Sequence, residues 1–208
     1  MISVIVPVFN GEKYLQAALE SIDFPNAQVV VVDDGSTDTS LQIARDFGAE
    51  IVALPHSGPV CARNAGLAIA TGDYILFFDA DDLMVPGAIA EMRDQIADND
   101  IIIATRSDFV SPDCNTQYKT SQSQHGVIAG CALIRKSMFE KIGMFDTELM
   151  CGDAYDWLLR ARGANAKVLE IPLVACQRRL HGDNIGIKMR GQEYADYCKI
   201  IRKHFIKK

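Results

Sequence analysis

Short, wholly apolar runs alternate with helical patterns through the first half of this chain, and that alternation limits the fold more than any other feature of the sequence. Ile2 to Val8, Val29 to Val32, Glu50 to Leu54, Tyr74 to Phe78 and Ile101 to Ala104 are strand-length and rich in β-branched residues. The unbroken valines of the second run suit a strand buried on both faces. Between the runs, Tyr14, Leu15, Ala18, Leu19 and Ile22 recur at helical spacing, as do Leu41, Ala44 and Phe47 before Gly48. Val60 to Ala70 reads as a small-residue helix closed by Thr71-Gly72, and Pro86 suits the first turn of a helix running to about Ala97. Strands and helices in this order predict an α/β fold, a doubly wound and mostly parallel sheet with right-handed crossovers.

The pattern changes at Ser107. From there to Gly126 the chain is polar and aperiodic, which predicts a mobile loop over a site. A strand at Cys131 to Arg135, helices at Lys136 to Ile142 and about Ala154 to Gly163, and a strand at Lys167 to Val174 follow. Tyr194, Tyr197, Cys198 and Ile201 then mark a helix whose end gathers Lys199, Arg202, Lys203, Lys207 and Lys208. At 208 residues the chain fits a single domain, divided here into halves at 1–104 and 105–208.

A net charge of −6 argues against nucleic acid as a partner. No apolar run approaches the roughly 20 residues of a membrane span, and Met1 leads straight into the first strand, so a cytoplasmic protein is expected. The basic terminus leaves room for peripheral contact with a membrane surface. The six cysteines lack metal-ligand spacing and read as reduced, several of them inside apolar stretches.

In open α/β sheets, ligands sit beyond the carboxyl ends of the strands. Here those ends are acidic: Asp33-Asp34 after the second run, and Asp79-Ala80-Asp81-Asp82 after the fourth. Clustered carboxylates repel one another unless a proton or cation joins them, so a divalent ion is a natural partner. A plain acidic turn capping the next helix is the simpler alternative. No GxGxxG follows the first strand, which sets aside a dinucleotide oxidoreductase. A phosphatase with an aspartyl nucleophile would need a supporting lysine and hydroxyl that the sequence does not offer.

Four segments, Val4-Ile5-Val6-Pro7-Val8-Phe9-Asn10, Val32-Asp33-Asp34-Gly35-Ser36-Thr37-Asp38, Ala62-Arg63-Asn64-Ala65-Gly66 and Phe78-Asp79-Ala80-Asp81-Asp82, together resemble the family-2 glycosyltransferases in order, spacing and strand context. The resemblance runs from Ile2 to about Gly186. It implies a GT-A fold whose first half, 1–104, binds a nucleotide-diphosphate sugar and whose second half, 105–208, binds the acceptor. The implied reaction is an inverting, metal-assisted hexosyl transfer, with a UDP-linked donor and a carbohydrate or lipid-linked acceptor.

The same resemblance implies roles for individual residues. Pro7 and Phe9 line the nucleoside pocket, Asp34 meets the base, and Arg63 steadies that acid or approaches the nucleotide. Asp79 contacts the ribose across the small Ala80, and Asp81 ligates Mn²⁺ or Mg²⁺. Arg178-Arg179-Leu180-His181-Gly182-Asp183-Asn184-Ile185 resembles the family's RxHxxN segment, whose histidine approaches the metal or diphosphate; His181 is thus implied as a second metal ligand, and the adjacent arginines suit a pyrophosphate.

Phe145-Asp146-Thr147-Glu148-Leu149 and Gly152-Asp153-Ala154-Tyr155-Asp156-Trp157-Leu158-Leu159-Arg160 resemble FDE(x)L and GED(x)DxxLR. In that register Ala154 stands where the family places its aspartate base, and Asp153 falls on the preceding glutamate. Asp153 is the nearest acid able to take a proton from an acceptor hydroxyl. It would equally suit the first turn of a helix. Ala154 also motivates a rival reading, a degenerate member that binds a nucleotide or a partner without transferring sugar.

Overall fold

The computed structural model describes residues 1–125, 130–184 and 190–206. Gly126, Ile185, Gly186, Lys207 and Lys208, named above, lie outside them.

Strands β1 (Ile2–Val8), β2 (Gln28–Asp33), β3 (Glu50–Ala53) and β4 (Tyr74–Phe77) run parallel in the order β3-β2-β1-β4. Helices α1 (Leu15–Glu20), α2 (Ser40–Phe47) and α3 (Pro59–Ile69) connect them. The valines explain why β2 is central. Val31 joins one core layer with Leu15, Leu19 and Ala44, while Val30 and Val32 join the opposite layer with Val60 and Leu67. Alternate side chains of a strand point to opposite faces, so an all-valine run fits only between two covered faces.

Beyond β4 the sheet becomes mixed. β8 (Ala132–Arg135) lies antiparallel between β4 and β6 (Ile101–Val110), and β9 (Val168–Leu180) runs parallel to β6. β5 (Leu83–Met84) closes the edge against β9, and β7 (Gln124–His125) pairs with β6. The remaining helices among the described residues are α4 (Ala88–Gln95), α5 (Lys136–Ile142), α6 (Asp153–Gly163) and α7 (Arg190–Phe205). β6 crosses the expected division at 104/105, and both halves contribute to one sheet.

The expectation of a loop from Ser107 is corrected here. After an irregularity between Ile103 and Arg106, β6 continues to Val110, paired residue by residue with a β9 that runs to Leu180 rather than stopping at Val174. This ribbon extends past the core, where Arg106 to Val110 are each half-buried. Its side chains need not be apolar, so hydrophobic periodicity is silent about it, and main-chain bonds define the strand.

α3 sits directly on β1 and β2. A Cβ on Gly66 would lie 2.4 Å from Ile5 Cγ2 and 3.0 Å from Val32 Cγ2. Gly66→Ala is therefore expected to destabilise the fold by about 1–3 kcal/mol, read as a lower urea midpoint at unchanged m-value.

Candidate active site

Beyond the carboxyl ends of β1 and β2, the chain builds a small aromatic platform. Phe9 is 47% exposed just past β1. Its ring centroid lies 4.1 Å from that of His56, with the planes tilted by 32°. His56 is held there by Asp34, which is buried. One Asp34 oxygen accepts from the Ser57 N–H at 2.7 Å, the other accepts from the Gly58 N–H at 2.9 Å and lies 3.2 Å from His56 Nδ1. Asp34 thus fixes the loop between β3 and α3 to the end of β2. Pro7, half-buried inside β1 opposite Val32, stands two residues before the platform. Asp33 shapes the turn, accepting from the Ser36 N–H at 3.1 Å.

At the end of β4, Asp79, Asp81 and Asp82 each offer an oxygen, all within 4.8 Å of one another. Asp82 is 2% exposed and accepts from the Arg179 N–H at 2.9 Å. Burial, then the neighbouring charges of Asp81 and Asp79, push its pKa well above the usual carboxylate range. Asp81 Oδ2 lies 2.9 Å from His181 Nε2 and accepts from Asn184 Nδ2 at 3.1 Å. The Asp183 N–H donates to His181 Nδ1 at 3.2 Å, so in a neutral ring the proton sits on Nε2, facing Asp81. Arg179 Nε donates to the Asp81 carbonyl at 2.8 Å, while its guanidinium lies between the rings of Tyr14 and Phe109, at 4.7 and 4.8 Å. Three crowded carboxylate oxygens are a donor set suited to a hard divalent cation.

Arg63, on the third turn-forming position after Val60 in α3, links this cluster to α6. Its Nη1 donates to Asp153 Oδ2 at 2.9 Å, and Nη2 lies 3.8 Å from Asp79 Oδ1. The adjacent Asn64 exchanges two hydrogen bonds with the Phe145 main chain, at 3.0 and 3.1 Å, locking α3 to the segment ahead of α6. Asp153 opens α6 and is 6% exposed. Asp156 faces elsewhere: it is fully buried and meets Arg160 Nε at 2.9 Å, Lys203 Nζ at 3.0 Å and His204 Nε2 at 2.8 Å. Ala154 packs against the apolar layer beneath α3 and α5.

The turn delivering Asp153 is held from behind. Asp196 of α7, fully buried, accepts from the Met150 and Cys151 N–H groups at 2.9 and 3.1 Å, with Lys199 and Gln192 on its other oxygen. A Cβ on Gly152, which has φ +76°, would lie 2.9 Å from Ile200 Cδ1. The left-handed backbone favours glycine here, and a larger residue would also press on the end of the Ile200 side chain.

The structure therefore brings Asp79, Asp81, Arg63, Asp153 and His181 together, Arg63 between Asp153 and Asp79 and His181 against Asp81, and Phe9 and Asp34 form a separate platform. His56, Asn64, Asn184 and Asp196 emerge only here. Asn64 and Asn184 are legible in hindsight as members of the ARNxG and RxHxxN spacings. His56 and Asp196 acquire partners only through tertiary folding and carry no sequence signal.

The model of glycosyl transferase family 2 matches residues 3–143. The chain belongs to this family. An uncharacterised glycosyltransferase of Rickettsia prowazekii is 28% identical over 180 residues, covering 75% of this chain and 57% of the relative. The chain thus spans little more than half the length of that curated relative. Among solved structures, Staphylococcus aureus TarS 1–349 in complex with UDP-GlcNAc superposes with a TM-score of 0.76 at 22% identity, over 99% of this chain and 68% of the other. A Pyrobaculum calidifontis mannosyltransferase in complex with GDP-Man and Mn²⁺ gives 0.74 at 19% identity, over 100% and 64%. These likenesses bear out the α/β GT-A fold. Among the described residues, no helix is long and apolar enough to cross a membrane.

Two buried carboxylates make this family member acid-sensitive. Burial alone would raise the Asp156 pKa, but the bonds from His204, Lys203 and Arg160 outweigh it and leave a net lowering. At Asp196, too, burial pushes the pKa up, and the bonds from Lys199, Met150 and Cys151 outweigh it and leave a net lowering. A folded pKa below the unfolded value of about 3.9 contributes stability above that value and loses it as pH falls through the folded pKa. Unfolding free energy from urea titrations should accordingly decline from about pH 5 downward. Asp196→Ala, which removes the carboxylate that two partly buried N–H groups share, is expected to cost about 1–3 kcal/mol at neutral pH.

Proposed function

We propose that this chain is an inverting glycosyltransferase that moves a hexosyl group from a UDP-linked donor to an acceptor hydroxyl, with help from a divalent cation. The observation that carries the reading is the Arg63 bridge: one guanidinium spans Asp153 and Asp79, so an acid able to serve as base stands one side chain away from the carboxylate cluster. The donor classes in the names of the fold neighbours, a UDP sugar for TarS and a GDP sugar with Mn²⁺ for the mannosyltransferase, support nucleotide-sugar chemistry at such a site.

In this reading the base of the nucleotide lies on the Phe9–His56 platform, beside Pro7, while Asp34 keeps the platform in place. Asp79 meets the ribose past Ala80. Asp81, with Asp79 and Asp82 beside it, would hold Mn²⁺ or Mg²⁺, which when bound neutralises charge on the departing nucleoside diphosphate. His181 would serve as a ligand only with Nε2 unprotonated; with the Nε2 proton directed at Asp81, it and Asn184 orient that carboxylate. Asp153 accepts the proton of the attacking hydroxyl on the face opposite the leaving group. Arg63 orients the Asp153 carboxylate through the 2.9 Å bond from Nη1. The family's usual base position is Ala154, whose contacts are with the core, and Asp156 is consumed by α7, so Asp153 alone among these three faces the cluster.

Thermal unfolding and calorimetric titration with UDP, GDP, dTDP and CDP, with and without Mn²⁺, test the donor site. UDP at 100 Kd with Mn²⁺ should stabilise by about 2.7 kcal/mol, and Asp81→Ala should abolish the metal-dependent part. With a transferable acceptor, Asp153→Asn should lower kcat by about 10²–10⁴-fold while UDP binding persists. An inert parent in which Ala154→Asp creates transfer would instead establish a degenerate member of the family.

A further inference from the structure

The ribbon formed by the ends of β6 and β9 has one face that the proposed donor chemistry does not use. Its register pairs Arg106 with Cys176 and Asp108 with Arg178. Residues two apart on a strand share a face, so Arg106, Asp108 and Arg178 lie together, on the side from which Cys176 Sγ meets Asp82 Oδ2 at 3.7 Å. The face therefore opens beside the carboxylate cluster. The opposite face is already occupied, by Arg179 and Phe109 clasping Tyr14.

Polar groups on the open face lack acceptors and donors. Arg106 Nε and Asp108 Oδ1 are shielded from solvent without a hydrogen-bond partner, while the other Asp108 oxygen accepts from the Ser121 N–H at 3.1 Å. Among the described residues no hydrogen bond or ion pair holds either the Arg106 or the Arg178 guanidinium. Shielded polar atoms left unpaired are costly, and native proteins rarely leave them so without a ligand or water to complete the set. Two planar forks from adjacent strands match the several oxygens of a tetrahedral anion, whereas Asp108 between them calls for a hydroxyl donor.

We propose that Arg106, Asp108 and Arg178 form a subsite for a phosphate-bearing polyol or sugar, which makes the acceptor of this chain a phosphorylated carbohydrate. The word acceptor rests on the glycosyl-transfer reading; the phosphate chemistry of the face does not.

Sodium phosphate and glycerol 3-phosphate, titrated by calorimetry into the full chain alone and into the chain saturated with UDP and Mn²⁺, test the subsite, with sodium acetate as the chemical control. Phosphate should bind both forms, and acetate at least tenfold more weakly. Arg106→Gln with Arg178→Gln should weaken phosphate at least tenfold and leave UDP affinity within twofold. Asp108→Asn should remove the advantage of glycerol 3-phosphate over phosphate. Arg106→Lys and Arg178→Lys, which keep the charge and lose the fork, should each weaken phosphate at least threefold and provide the readout if the double variant unfolds early. Loss of UDP affinity in the arginine variants, with phosphate and UDP competing, would assign the face to the donor diphosphate and overturn the proposal. Equal phosphate binding in parent and variants would overturn it outright. A parent that ignores UDP yet binds phosphate through these arginines would sink the nucleotide-sugar reading and leave the subsite standing.

Discussion

Three carboxylates at the end of one buried strand repel one another, and much of the polar structure around β4 exists to keep Asp79, Asp81 and Asp82 converged. Each is restrained differently. Asp82 is buried against the Arg179 main chain, Asp81 is gripped by His181 and Asn184, and Asp79 is balanced by the more distant Arg63. None of these restraints is a bidentate arginine pair, which would neutralise a carboxylate and take both its oxygens. Oxygens therefore remain turned toward a common point, and burial makes their unrelieved repulsion more costly than it would be in water. A proton or a cation relieves such repulsion, and three converging oxygens are a donor set that suits the cation.

The same economy appears on the other side of the mouth. Arg63 can touch Asp153 and approach Asp79 only if α3 lies close to the sheet and α6 begins at a fixed point. Gly66 permits the first by letting α3 rest on Ile5 and Val32. Asp196 and Gly152 secure the second, since the buried carboxylate ties down the 150–151 main chain and the glycine lets α7 approach it. Asp156, an obvious acid by position, belongs to this support: its partners Lys203 and His204 come from α7. The C-terminal helix is thus mechanically part of the site without entering it.

How far the sequence foretold this arrangement follows from which forces each part uses. β1 to β4 and α1 to α3 are legible because burying apolar residues on two faces leaves unbroken runs such as Val29 to Val32. Asp79 and Asp81 are legible because chemistry and strand-end position coincide there. The β6–β9 ribbon was not legible, since its residues satisfy main-chain pairing and a polar surface at once, and side-chain pattern records neither. His56 and Asp196 were hidden for a related reason. Each matters only through a partner more than twenty residues away, Asp34 for the one and Met150 for the other.

The acid at the start of α6 shows how tertiary support can place a side chain that a motif alone does not. In the register of the family segment, Ala154 is the anomaly, and a helix places neighbouring residues roughly 100° apart around its axis. A one-residue shift would ordinarily turn a carboxylate away from its target. Asp153, however, stands at the very start of α6, directly after the left-handed Gly152, where the chain has just turned in from the 150–151 segment and the side chain is not yet committed to a helical face. Arg63 can reach it there at 2.9 Å, and Ala154 can then turn inward to pack. The acid meets Arg63 and the alanine packs inward, and both placements depend on Asp196 and α7 holding the turn.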